Sequence, residues 1–206
     1  MTTAPAALRS LTMAWLAGLA LSGWAPFDRL TWVMEVFPAV VALGIMWASW
    51  KKLELTRLLY WLIAIHGLIL MVGGAYTYAR VPLGFWMQEW FGHTRNNYDK
   101  IGHFAQGFIP VIVARELLLR VFNLASRRLV AFLCVAICLA VSAMYELIEW
   151  GSALWLGQGA DEFLGTQGDP WDTQSDMFFA LIGSLAGLAL LSRWHDRQMA
   201  GLKNPD

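Results

Sequence analysis

Three short stretches carry side chains that could do chemistry together. In YDKIGHFAQGF, Asp99, His103 and Gln106 follow one another at helical spacing. In SAMYELIEW, Ser142, Glu146 and Glu149 stand at i, i+4 and i+7 and share one stripe of a helix. In GTQGDPWDTQSDM, Asp172 and Asp176 are four apart, with Asp169 just before them and no Lys or Arg in the stretch. Each lies where an apolar run starts or stops. A carboxylate held charged near hydrocarbon costs roughly 2.5 to 3.5 kcal/mol even on the lenient insertion scale. Something must therefore compensate these acids, and three means are open: a divalent cation, a salt bridge to Arg95 or Lys100, or protonation of a carboxyl. Several carboxylate oxygens and one imidazole form a donor set that suits a metal ion, with Glu146, Glu149, Asp172, Asp176 and His103 as ligands. His103 could alternatively act as general base, with Asp99 orienting its ring and Glu146 beside it. Arg95 and Lys100 could hold a phosphate or other anion, with Tyr98 or Tyr145 donating a hydrogen bond to it.

Plainer readings stand beside these. Asp99 and Asp172 sit where helices start, and acids are favourable there whatever the function. His66, alone in an apolar run, is expected to make an interhelical hydrogen bond. Glu35 and Asp28 are expected near the same end, most simply paired with Arg29 or a neighbouring helix. Gly165, Gly168 and Pro170 shape the loop before the last apolar run.

The elements that must position these residues are membrane helices. The 206 residues are 58% hydrophobic and only 15% charged, with twelve Trp, too apolar for an ordinary soluble domain. A net charge of zero and the lack of a basic run exclude a nucleic-acid partner. Cys134 and Cys138, four apart in an apolar run, are expected to pack as small apolar groups. Runs long enough to cross the hydrocarbon, about 20 residues each, fall near 9–26, 32–50, 58–79, 101–120, 129–150 and 175–193. The expectation is a single all-α polytopic membrane domain over 1–206, a bundle of about six spans. The first run also has the layout of a signal peptide, Arg9 before a short apolar stretch, but it continues to Trp24 and Pro26 like a full span. With both termini cytoplasmic, eleven of the fifteen basic residues lie inside, including Lys51, Lys52, Arg115, Arg120, Arg127, Arg193 and Lys203. Arg29, Arg80, Arg95 and Lys100 then lie outside, and the polar stretches meet at the outer face. VPLGFWMQEWF, Val81 to Phe91, is too short to span and is expected to lie in the outer interface before the fourth span, where it could serve as a lid. Gly183 and Gly187 form a small-xxx-small pair suited to close helix packing.

The blocks GWAPFDRLTWVMEVFP, ARVPLGFWMQEWFG, NNYDKIGHFAQGFIPVIVARELLLR, YELIEW and DEFLGTQGDPWDTQSDM together resemble the YjdF-type bacterial inner-membrane proteins, over nearly the whole chain. That resemblance implies a multi-pass protein of the bacterial inner membrane and no particular reaction. More distantly, DKIGH opening one span, a glutamate ending the next and an acidic stretch entering the last resemble the VanZ-like membrane proteins, some of which are linked to glycopeptide-antibiotic resistance. The shared pattern falls on Asp99, Lys100, His103, Glu146 and Asp176. The Arg common in the VanZ-like acidic loop has no equivalent between Asp161 and Asp176.

Three functions fit this reading. The first is a metal-dependent hydrolase or transferase working at the outer interface on a lipid or lipid-linked substrate, with surrounding membrane lipids as its partners. The second is a non-enzymatic transporter or ion-binding protein using the same acids as cation or proton sites. In the third, the protein is a structural or accessory subunit whose polar cluster only locks helices together.

Overall fold

The computed structural model describes residues 4–156 and 167–202. Lys203, counted above among the inner basic residues, and Gly165 of the loop lie outside the described residues. The described chain is helical: α1 (Ala6–Trp24), α2 (Arg29–Ser49), α3 (Arg57–Ala75), α4 (Pro82–Phe91), α5 (Tyr98–Phe108), α6 (Pro110–Arg120), α7 (Arg127–Leu156) and α8 (Asp172–Met199).

Local chemistry sets the boundaries. Asp28 caps α2 by accepting from the Thr31 amide at 2.7 Å, which holds the Asp28 carboxyl below its usual pKa. Thr56 caps α3. α4 begins on Pro82, whose fixed φ suits a first helical position, and ends on Gly92 with φ +67. The helix expected as one fourth span breaks at Ile109, because Pro110 has no amide to donate and its ring crowds the preceding turn. α5 and α6 still continue in line as one stretch of 23 residues, Tyr98 to Arg120, that can cross a membrane.

Among the described residues, five helical stretches are long and apolar enough to span: α2, α3, α5 with α6, α7 to Trp155, and α8. α1 has the length, 19 residues, but the sixth expected span is not among these five. Only 28% of the apolar window of α2 and 22% of that of α7 are buried in the protein. Helices apolar on all sides with so little protein contact face lipid, and Leu16, Ile45, Trp61, Phe132 and Leu190 all point outward. α4 packs through Gly84 on the Asn96 side chain and turns Phe85, Trp86, Trp90 and Phe91 outward, as an interfacial helix does.

Two apolar cores hold the bundle. One joins α1, α2 and α3 around Leu8, Trp15, Val36 and Met71. Trp15 packs against Gly67, where a Cβ would stand 2.2 Å from its ring, and donates its indole N–H to the Ala64 carbonyl. The other joins α3, α5, α6 and α7 around Leu59, Ile112, Val130, Cys134 and Cys138. α5 and α8 approach backbone to backbone: a Cβ on Gly107 would meet the Ala180 carbonyl at 1.9 Å, and one on Gly183 the Phe104 carbonyl at 2.1 Å. This contact sets α5 and α8 in register, and with them the acids of one and the histidine of the other.

Candidate functional site

The N-terminal turns of α5 and α8 and the C-terminal part of α7 meet at one end of the bundle. Asp99 and Asp172 occupy first turns, while the cap positions themselves are Asn97 and Trp171. The positive helix ends favour both acids. Lys100 reaches from α5 to α8, with its Nζ 2.6 Å from Asp172 Oδ1 and 2.8 Å from Asp176 Oδ1. Arg95 donates to Asp99 at 2.7 Å and also to Asp172. Burial works against the Arg95 charge, but Asp99, Asp172 and Asp169 outweigh it and raise its pKa. The salt bridge is thus the means of compensation for Asp99 and Asp172. Both expected anion binders are engaged by protein carboxylates.

A different arrangement lies one turn deeper. His103 Nδ1 is 3.0 Å from Gln106 Oε1. An amide oxygen only accepts, so Nδ1 carries the proton, and in the neutral ring Nε2 presents its lone pair. That lone pair faces Glu146 Oε1 at 3.8 Å and Asp176 Oδ1 at 3.7 Å. Gln106 holds the ring in place of the expected Asp99, which Arg95 occupies. Glu146 is 8% exposed, and its Oε1 has no hydrogen-bond partner among the described residues. Ser142, a turn below on α7, is fully buried, its hydroxyl also without a partner among the described residues. Ligand atoms of His103, Glu146 and Asp176 lie within 4.8 Å of one another, as do those of Asp99, Asp172 and Asp176. Glu149 belongs to neither group and faces a cavity instead.

Both tyrosine hydroxyls are committed within the protein. Tyr98 donates to the Ile69 carbonyl at 3.3 Å, and Tyr145 donates to Glu35 Oε2 at 2.8 Å, joining α7 to α2. Glu35 is therefore held by a phenol from another helix. A third tyrosine enters where no sequence signal placed one: Thr77 and Tyr78 both take positive φ, 52° and 51°, a conformation that L residues adopt at a cost. The turn drives the Tyr78 ring between Gly73 and Gly102, and burial pushes its hydroxyl well above the usual pKa. Asn96 ties the cluster together: its amide nitrogen donates to the Val81 carbonyl, its amide oxygen accepts from the Tyr98 N–H, and its backbone exchanges two hydrogen bonds with Gln167.

A cavity of about 620 Å³ runs from this end along the bundle. Its polar end includes Glu35, Tyr78, Asp99, His103, Gln106, Tyr145, Glu149 and Asp176; further along, the lining is apolar except for His66 and Ser49. His66 lies on this wall and has no hydrogen-bond partner among the described residues, so the expected interhelical bond is not seen.

At the opposite end lies a second polar cluster. Glu116 of α6 is fully buried and accepts from the Thr56 amide and hydroxyl, from Arg120, and from His195 Nε2 at 2.8 Å. Arg115 donates to His195 Nδ1 at 3.0 Å and to Asp196 at 2.6 Å. Because a guanidinium only donates, Nδ1 must accept, and the His195 proton sits on Nε2 toward Glu116. His195 was not singled out in the sequence.

Comparison with known proteins places the chain. Residues 7–197 match the family described as "Predicted membrane protein (DUF2238)". The chain belongs to this family of membrane proteins. It is 56% identical over 181 residues to the inner membrane protein YjdF of Escherichia coli strain K12, covering 88% of this chain and 87% of that one. The YjdF-type resemblance is thereby shown, whereas the VanZ-like one is not. Multi-pass insertion in the inner membrane follows from the family and from the apolar helices. No solved structure matches.

Proposed function

We propose that this protein of the DUF2238 family is a metal-dependent hydrolase or transferase acting on a lipid or lipid-linked substrate, with His103, Glu146 and Asp176 as the metal ligands. The carrying observation is that His103 Nε2 faces two carboxylate oxygens, one of them buried without a hydrogen-bond partner among the described residues. Lys100 answers Asp176 Oδ1, but Glu146 Oε1 and His103 Nε2 still face each other with no cation between them. Two ligands about 2.1 Å from a tetrahedral ion are about 3.4 Å apart. The separations of 3.7 and 3.8 Å need only a small inward movement to match that. Three protein ligands leave a fourth position for water or substrate, the arrangement of catalytic rather than structural sites. Gln106 on the far ring nitrogen fits a metal-bound histidine, whose other N–H needs an acceptor. Asp99, Asp172, Arg95 and Lys100 form a charge-balanced rim, and Glu149 is a proton-accepting candidate on the cavity side. With both termini cytoplasmic, as the basic residues direct, the site faces outward among lipid head groups.

Transport fits less well, because beyond His66 the cavity offers little but apolar wall to a moving ion. The test is the metal content of detergent-purified protein, by elemental mass spectrometry, beside His103→Ala and Glu146→Gln. About one divalent ion per chain, absent from both variants, is expected. Reconstituted protein should then convert a phospholipid or lipid-linked phosphate in a chelator-sensitive way. No metal after incubation with Mg, Mn, Zn and Ca, or turnover that survives Glu146→Gln, overturns the proposal.

A further inference from the structure

The cavity has a shape that its polar end does not explain. Its lining runs from Asp99 at the start of α5 to Phe122 just past α6, 23 positions along the chain and so roughly 35 Å of helix, about the depth of the hydrocarbon layer. It opens sideways. α2 packs on α1 and α3, whereas α7 packs on α5, α6 and α8, and the cavity lies in the gap between the two groups. Ile45 of α2, 61% exposed, and Val141 of α7, 46% exposed, line the cavity and also face outward on the lipid side. Small and ring-shaped residues hollow the walls: Pro38 and Ala42 on α2, Pro110 and Ala114 on α6. The Tyr145–Glu35 hydrogen bond crosses the gap near its polar end.

We infer that this gap is a binding groove for one hydrocarbon chain of a membrane lipid, entered sideways from the bilayer between α2 and α7. Two facts identify the occupant. The gap opens into the apolar layer, where lipid chains are the abundant species. Beyond its polar end the lining is apolar except for His66 and Ser49, which suits a hydrocarbon chain and offers a polar ligand no partners. A chain lying in the groove brings its head group to His103, Glu146 and Asp176, while Tyr145 and Glu35 close over the junction of chain and head. The position of the head rests on the function proposed above; the chain site does not.

The probe is lysophosphatidylglycerol with a photoreactive acyl chain, presented in phosphatidylglycerol vesicles holding the purified protein. Labelling is expected to concentrate on Ala42, Ala114 and Val141, and to fall by about tenfold in Ala42→Trp, which fills the groove. Labelling spread evenly over outward residues such as Leu16, Trp61 and Phe132, or crosslinks to a second copy of the chain, overturns the groove. Because Ala42→Trp could disturb folding, its metal content and elution by size exclusion are read alongside. The mapping on the parent protein decides the matter if that variant fails. Glu146→Gln separates the two proposals: it should keep the labelling pattern while losing the metal. A labelled groove with no metal in the parent leaves the chain site standing and removes the catalytic reading.

Discussion

The two polar clusters, at opposite ends of the same bundle, are built on opposite terms. Around Glu116 every acceptor has a donor: Thr56, Arg120 and His195 converge on the carboxylate, and Arg115 and Arg127 on Asp196. Around His103 only Asp176 is answered, by Lys100, while Glu146 Oε1 is buried with no donor among the described residues. Both clusters lie between helices, so burial alone does not distinguish them. The difference lies in satisfaction. A network with every lone pair answered holds helices in register, and α3, α6 and α8 are joined at Glu116 in this way. A network with a buried carboxylate oxygen left without a donor carries a cost to stability, which the metal site proposed above would offset.

Breaking the satisfied end should have the largest effect. Glu116→Ala strips the shared acceptor from Arg120, His195 and Thr56 and leaves buried cationic groups unanswered. We expect a loss of about 3 to 5 kcal/mol, the range for removing one partner of a buried ion pair. Denaturation of the purified protein in mixed micelles would measure it; a loss below 1 kcal/mol would mean the cluster is no lock. Next comes Gly183→Ala, where the added methyl meets the Phe104 carbonyl and α8 must move off α5. A cost of about 1 to 3 kcal/mol is expected. Since this contact also sets Asp176 against His103, metal binding should weaken in step, which a titration with the same metal checks.

The sequence revealed much of the site end and little of the other. Asp99 with His103, Ser142 with Glu146 and Asp172 with Asp176 were legible because each pair falls at helical spacing beside an apolar run, so the helix period alone put them on one face. Their partner Lys100 was in the same motif. The Glu116–His195 pair was not legible, because 79 positions separate the two and the apolar run of the last span stops near 193 while α8 continues to Met199. Hydropathy reads the end of the lipid layer, not the end of the helix, so the buried polar turn containing His195 fell outside the expected span. The gap between α2 and α7 was hidden for another reason. It is an absence of packing between helices that are each apolar all round, and periodicity does not record which apolar faces remain apart. Tyr78 was missed because its placement depends on two residues taking positive φ, which nothing in the types Thr and Tyr announces.

A smaller change sharpens the comparison from within the site. Gln106→Met keeps the length of its side chain but removes the acceptor that fixes the His103 tautomer. Loss of such a supporting hydrogen bond weakens metal binding by about 10 to 100-fold. Competition with a chromophoric chelator would read the shift. An unchanged affinity would show that His103 binds through neither the tautomer nor the nitrogen assigned to it.

The smallest effect on stability is expected where the chemistry is expected to be most sensitive. Glu146→Gln replaces a buried oxygen that has no hydrogen-bond partner and stands beside Asp176, so no hydrogen bond to that atom is lost and one negative charge in a crowded site disappears. Unfolding free energy of the metal-free protein should therefore change by less than about 1 kcal/mol, or rise. The same exchange of carboxylate for amide at Glu116 should destabilise the protein, because there the charge answers Arg120. Measuring Glu146→Gln and Glu116→Gln side by side, both stripped of metal, sets the two ends against each other with identical chemistry. Equal losses would mean that Glu146 is as structural as Glu116 and that the shortage of donors at His103 has no functional meaning. A loss confined to Glu116 would mean that the fold does not need the Glu146 charge, leaving the binding of a cation as what that charge serves.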